Sequence, residues 1–118
     1  MSTTAPDFIS AVRSQIIAER QQRIREVLNM DPATVRGPRM RMAIEWFATM
    51  LPDQREMFLS MIREAAVDTM SVMLGIIDGV GYMPPFSNGF VLSTGDGIKL
   101  DGDLCDLFLE AEEHDRHG

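Results

Sequence analysis

Apolar residues in the first quarter of the chain recur at the three- and four-residue spacing of an amphipathic helix. They are Ile9, Val12, Ile16, Ile17, Ile24, Val27 and Leu28. Asp7 precedes most of this pattern and can cap a first turn, so we predict a helix over residues 7–29. At 100° per residue, Arg13 and Arg20 fall inside the apolar stripe. Each should therefore pair with a carboxylate or extend its charged head to water.

Two more helices are predicted, separated from the first and from each other by proline. Pro32 and Pro38 interrupt the helical pattern, and residues 38–51 resume it. The third helix should run over residues 53–77, with Asp53 as its cap. Of the 21 residues from 57 to 77, 14 are apolar. A helix that is apolar around most of its circumference is typically buried on most sides, so we expect this one to be central.

The last third of the chain has a different pattern. Residues 78–89 are rich in glycine and proline and predict a loop. Residues 90–94 and 98–100 flank Gly95-Asp96-Gly97 and predict a β-hairpin packed on the helices. A short final helix would dock through Leu104, Leu107, Phe108 and Ala111. The expected fold class is therefore α+β and mainly helical: a three-helix core, a hairpin and a C-terminal helix.

The length of 118 residues suits one domain with one core. We expect residues 7–113 to form this domain. Residues 1–6 should be a flexible N-terminus, and residues 114–118 a flexible tail of acidic residues and histidine.

Charge is distributed unevenly along the chain. Residues 1–75 contain nine arginines and nine acids, so the net charge of −7 lies in residues 76–118. An acidic segment repels phosphate backbones, which argues against nucleic acid and favours a partner protein with a basic surface. The candidate partner-binding acids are Asp96, Asp101, Asp103, Asp106, Glu110, Glu112 and Glu113. The alternative is a solvated acidic tail that only aids solubility.

The chain has ten methionines, and seven of them, on the predicted helices, fall into two groups. Met40, Met57, Met61, Met70 and Met73 are predicted to face the core. Met42, Trp46 and Met50 widen a helix face that is already apolar, and flexible methionines beside a tryptophan are typical of contact surfaces. These three are candidate partner-binding residues. The alternative is that another element, such as the hairpin, covers them.

Metal and cofactor chemistry find little support in the residues. A calcium loop starting at Asp101 would need glycine where Asp106 stands. Zinc would have to use Cys105, His114 and His117, two of which lie at the chain end. There is no phosphate-binding loop among the glycines. We expect no metal and no cofactor.

Catalysis is also not predicted, because no nucleophile is paired with a base. A small enzyme would have to use the carboxylates of Glu64, Asp68 and Asp78 around a pocket, and we keep this as a remote alternative.

The compartment is predicted from what the sequence contains. Cys105 is the single cysteine, which suits a reducing environment. The N-terminus has no basic region followed by an apolar run, and the most apolar stretch carries Arg63, Glu64 and Asp68. We expect a cytoplasmic protein that does not associate with membranes.

Two stretches carry a partial resemblance to known proteins. Leu74-Gly-Ile-Ile-Asp78-Gly-Val and Leu104-Cys-Asp-Leu-Phe-Leu109 resemble the C-terminal part of small uncharacterised bacterial proteins of the immunity or antitoxin inhibitor type. The resemblance covers about a third of the chain and implies a protein that binds and neutralises another protein.

The sequence therefore predicts a non-catalytic protein–protein interaction module, an inhibitor or adaptor. Its acidic C-terminal surface would steer a basic partner, and Met42, Trp46 and Met50 would anchor it. The alternative is a structural homodimer that packs through the first two helices, with Arg13 and Arg20 meeting across a two-fold axis.

Overall fold

The computed structural model describes residues 3–117, and of His117 only the backbone. Residues 1 and 2 of the predicted flexible N-terminus lie outside the described residues, as do Gly118 and the side chain of His117 in the predicted tail. The helices are α1 (Ala5–Ala11), a π-helical segment (Val12–Ala18), α2 (Glu19–Leu28), α3 (Pro38–Thr49), α4 (Pro52–Ile77) and α5 (Leu104–His117), with a 3₁₀ turn at Pro32–Thr34.

The α1, π and α2 segments are continuous and form one long N-terminal helix. Its cap is Thr4, whose hydroxyl accepts the Asp7 N–H at 3.3 Å while the Asp7 carboxylate accepts the Thr4 N–H at 3.0 Å. The prediction of Asp7 as the cap was wrong, because Asp7 is the third helical residue of this reciprocal pair. The helix consequently starts two residues earlier than expected.

The π segment changes which side of the helix each arginine faces. Within it the Glu19 N–H donates to the Ser14 carbonyl, five residues back. A π-helix turns the chain by less than 100° per residue, so positions one heptad apart no longer share a face. Arg13 points inward to carboxylates of α5, whereas Arg20 is exposed and forms no ion pair with any described residue.

The N-terminal helix and α4 pack side by side in opposite directions. One core cluster joins the start of the N-terminal helix to the second half of α4 and to α5. The other joins α2 to α3 and to the first half of α4. Buried members of the first are Ile9, Val12, Ile17, Val67, Leu74, Leu104 and Phe108, and of the second Leu28, Ile44, Phe47 and Leu59.

Arg55 fixes α3 against α4 at their short junction. Its guanidinium donates to the carbonyls of Phe47 and Ala48 at 3.1 and 2.9 Å, and it lies over the Phe47 ring. Basic side chains commonly satisfy the last carbonyls of a helix in this way. At the start of α4 the N-cap is Leu51, whose N–H donates to the Gln54 side chain at 2.9 Å, so the prediction of Asp53 as the cap was wrong.

The third predicted helix, α4, contributes residues to both core clusters, but the expectation that it is buried on most sides was wrong. Met57, Met61, Val72 and Met73 on α4 are all exposed. The N-terminal helix and α5 cover one side of α4, and no described element covers the opposite side of its first half.

The predicted β-hairpin and the α+β class are also wrong. The chain is 68% helical, and residues 3–117 contain no strand, so the fold is all-α. The chain does reverse at the expected glycines, with φ +88° at Gly97, but only Ser93 and Lys99 form a bridge.

Two backbone hydrogen bonds pair the arms of this turn, from Thr94 N–H to the Ile98 carbonyl at 2.9 Å and from Leu100 N–H to the Leu92 carbonyl at 2.8 Å, but side chains take other N–H groups that a hairpin ladder would use. Asp101 accepts the Leu92 N–H at 2.9 Å, and the Thr94 hydroxyl accepts the Ile98 N–H at 3.0 Å. Such local hydrogen bonds compete with strand pairing.

Candidate functional site

Glu112 is a buried carboxylate at the centre of the junction between α5, α4 and the N-terminal helix. It is 3% exposed and continues the inward-facing line of Leu104 and Phe108 along α5. Arg13 Nε lies 3.2 Å from its Oε1, and an Arg63 guanidinium nitrogen lies 3.1 Å from its Oε2. Its charge is therefore neutralised within the chain, and it is not available on the surface for which the sequence proposed it.

Two further ion pairs surround Glu112. Arg13 also donates to Asp115, and Arg116 donates to Glu64. The hydrogen bond from Arg13 holds the pKa of Asp115 below its ordinary value. Burial opposes the charge of Arg13, but its hydrogen bonds to Asp115 and Glu112 outweigh burial and raise its pKa. The cluster joins three helices and has the character of a structural clamp.

The remaining acids of α5 form a row on its outer surface. Asp103, Asp106, Glu110 and Glu113 are exposed, and their spacing of three, four and three residues places them along one side of the helix. Asp103 stands at the helix start, where its carbonyl accepts the Leu107 N–H at 2.9 Å. We call these four residues the acidic row.

Two other acids from the sequence prediction lie away from the acidic row. Asp101 is largely buried and accepts the Leu92 N–H, so it organises the turn before α5. Asp96 is exposed at the tip of that turn, where it accepts a hydrogen bond from Thr94. The structure thus brings together four of the seven predicted acids.

Asp78, one of the carboxylates considered for catalysis, joins two helices. It ends α4 and accepts the Gly102 and Cys105 N–H groups at 2.7 and 2.8 Å, which caps the start of α5 from a distance. Glu64 pairs with Arg116, and Asp68 is exposed. The structure does not bring these three carboxylates together.

The single thiol belongs to the core. Cys105 Sγ donates to the Ser71 carbonyl at 3.3 Å, and burial, with smaller effects of Asp106 and Asp78, raises the pKa of the thiol. Among the side chains that the structure describes, no three metal-ligating groups come together. The His117 side chain considered for zinc lies outside the described residues.

A continuous apolar surface runs over α3 and the first half of α4. Met42 and Trp46 are 68% and 65% exposed, and Met57 and Met61 are 64% and 61% exposed. Met50 is half-buried between the two helices. We call these five residues the Trp46 surface.

The Trp46 surface has a shallow, open hollow on each side of the indole ring. A hollow of about 550 Å³ is lined by Trp46, Met50, Met57 and Met61, and another of about 630 Å³ by Met42, Trp46 and Arg39. The sequence prediction included Met42, Trp46 and Met50 but placed Met57 and Met61 in the core. Their four-residue spacing does place Met57 and Met61 on one side of the helix. The sequence did not reveal which apolar side of this helix stays uncovered.

The acidic row and the Trp46 surface are separate. The row lies on α5, which packs on the second half of α4, and the surface lies on α3 and the first half. The acids expected to steer a partner and the residues expected to anchor it, Met42, Trp46 and Met50, therefore lie on two separate surfaces.

None of the described helices combines the length and the apolar character needed to cross a lipid bilayer. A comparison with protein-family models finds no match, and comparisons with curated proteins and with solved structures find none either.

Proposed function

We propose that this protein is a non-catalytic protein-interaction module, an inhibitor or adaptor, that binds a basic partner protein through the acidic row of α5. The observation that carries the proposal is the sorting of acids on this helix. Glu112 and Asp115 are engaged by arginines, while Asp103, Asp106 and Glu110 face outward along one side. A row of like charge attracts a basic surface and increases the rate of encounter.

The scaffold suits this role because α5 is held firmly from behind. Leu104 and Phe108 are fully buried, and Glu112 is clamped by Arg13 and Arg63. A rigid helix presents its charges without the entropy cost of ordering a flexible segment. The proposal places the protein in the cytoplasm, where its single cysteine would stay reduced.

The test compares two variants of equal charge. In the row variant Asp106→Asn, Glu110→Gln and Glu113→Gln neutralise three acids of the acidic row. In the control Glu19→Gln, Asp53→Asn and Asp68→Asn neutralise three exposed acids elsewhere. Both are used with the wild type to capture partners from a lysate of the source cells, and the captured protein is purified for titration.

We expect the wild type and the control to capture the same basic protein. The row variant should bind it at least about tenfold more weakly, and wild-type affinity should fall as salt rises. Equal capture by the row variant, or an affinity that is insensitive to salt, would contradict the proposal.

A further inference from the structure

The exposed area of the folded chain is larger than a monomer of this mass should have. Its accessible surface is 8564 Å², whereas a 13.2 kDa monomeric protein is expected to expose about 6,400 Å². Its radius of gyration is 17.8 Å, against about 13.5 Å for a compact chain of 118 residues. About 2,100 Å² per chain is thus in excess.

The loop after α4, with Val80, Tyr82 and Val91 exposed, supplies part of this excess, and the whole is as large as a stable dimer interface. Standard interfaces bury about 800 Å² per partner, and obligate homodimers about 1,000 to 2,500 Å². Obligate interfaces are rich in apolar side chains. Part of the excess exposed area has this character, because Met42, Trp46, Met57 and Met61 together form one exposed apolar patch.

We propose that the Trp46 surface is the interface of a homodimer, in which α3 and the first half of α4 pack against the same elements of a second copy. An exposed apolar patch of this kind favours association whenever the chain is folded. A second copy is the partner that is always present, since its concentration is that of the chain itself. The proposed interface lies on the first half of α4, whereas α5 with its acidic row packs on the second half. Dimerisation therefore does not depend on the proposed function.

The charges beside the patch are complementary to a second copy. Arg41 and Glu45 are exposed and lie on the same flank of the line from Met42 to Trp46. Among the described side chains these two do not pair with each other. A two-fold axis perpendicular to α3 places α3 of the second copy antiparallel to α3 of the first. This arrangement brings Arg41 of each copy towards Glu45 of the other.

The hollows on either side of Trp46 suit the same arrangement. They have volumes of about 550 and 630 Å³, and each is lined mainly by apolar side chains. A protruding side chain such as Met42 or Trp46 of one copy can fill a hollow of the other, and interface energy is concentrated in such tryptophan-centred contacts.

Trp46 is the only tryptophan, so its fluorescence reports on the proposed interface alone. We would measure the mass of the full-length protein by sedimentation equilibrium and the Trp46 emission maximum over the same dilution series. We expect a mass about twice 13.2 kDa at tens of micromolar, and emission that moves to longer wavelength as the mass falls towards that of the monomer.

The Trp46→Glu variant tests the surface, and Tyr82→Glu is its matched control. Both side chains are exposed aromatics, at 65% and 77%, but Tyr82 lies in the loop after α4. Trp46→Glu should raise the dimer dissociation constant about 30-fold or more, and Tyr82→Glu should leave it unchanged. Met57→Glu keeps Trp46 and should give monomers whose Trp46 emission maximum lies at the long wavelength of the dissociated wild type. Because all three positions are exposed, far-ultraviolet circular dichroism should stay that of the wild type.

Several results would overturn the proposal. They are a wild type that stays monomeric up to 100 micromolar, a dimer whose Trp46 emission does not change on dissociation, and a Trp46→Glu variant that dimerises as tightly as Tyr82→Glu. The acidic-row variant is expected to remain a dimer, so loss of partner binding and loss of dimerisation are separate results.

Discussion

At the scale of single residues, Glu112 illustrates how one side chain can join three helices. Its Oε1 accepts hydrogen bonds from both Arg13 and Arg63, its Oε2 lies 3.1 Å from Arg63, and the carboxylate is almost fully removed from water. Removing the charge of one member of a buried ion pair costs more than the pair itself contributes, because the other charges stay behind without a partner.

We therefore predict that Glu112→Gln lowers the free energy of unfolding by about 2 to 3 kcal/mol, discounted from a fully buried pair because Arg63 is partly exposed. Urea titration followed by circular dichroism measures this loss. Glu110→Gln, two residues earlier and exposed, is the control and should change the free energy by less than about 0.5 kcal/mol. Equal stability of the two variants would contradict the clamp.

The clamp was only half visible in the sequence. The helical period placed Arg13 inside an apolar stripe, which required a carboxylate or a path to water, and Glu112 follows Leu104 and Phe108 at four-residue spacing. The sequence did not predict the π segment, which turns Arg13 and Arg20 to different sides of the helix. π segments are rare, and the apolar period from which the helix was predicted assumes α-helical geometry throughout.

At the scale of helices, Asp78 couples the end of α4 to the start of α5 across the long intervening loop. It provides at the α5 N-terminus the negative charge and hydrogen-bond acceptors that such a terminus favours. We predict that Asp78→Ala lowers the free energy of unfolding by about 1 to 2 kcal/mol. It should also accelerate amide exchange at Gly102 and Cys105.

Asp78→Asn is the matched control, because its amide oxygen still accepts a hydrogen bond, and its loss should be smaller than that of Asp78→Ala. Denaturant titration and native-state hydrogen exchange measure both variants. Unchanged exchange at Cys105 in Asp78→Ala would show that α5 does not depend on this cap.

The helices themselves were predictable because their apolar period and prolines are local signals. The error at residues 90–100 arose from side chains, since Thr94 and Asp101 take N–H groups that strand pairing needs. The error on α4 arose because the sequence shows which side chains are apolar but not what covers them. An apolar side predicts that something covers Met57 and Met61, but not whether the cover comes from the same chain.

At the scale of the whole molecule, the two core clusters share the N-terminal helix and α4. Both helices run through both clusters, so we predict a single cooperative unfolding transition. Phe108→Ala removes a fully buried ring from the cluster at α5 and should cost about 3 to 5 kcal/mol.

The measurement compares circular dichroism, which reports on all helices, with the emission of Trp46 at the other end. Both midpoints should fall together in Phe108→Ala, at one fixed protein concentration. Phe86→Ala, at an exposed loop position, is the control and should shift neither midpoint appreciably. Separate midpoints for the two probes would show that the clusters unfold independently.

The placement of α3 and α5 on opposite halves of α4 has a consequence for valency. With 26 residues, α4 is a rod about 39 Å long. Two copies joined through α3 would hold their α5 helices at far-apart ends of one rigid body. A target that repeats its basic site at a matching distance could engage both ends at once, and avidity would then exceed the affinity of either end alone.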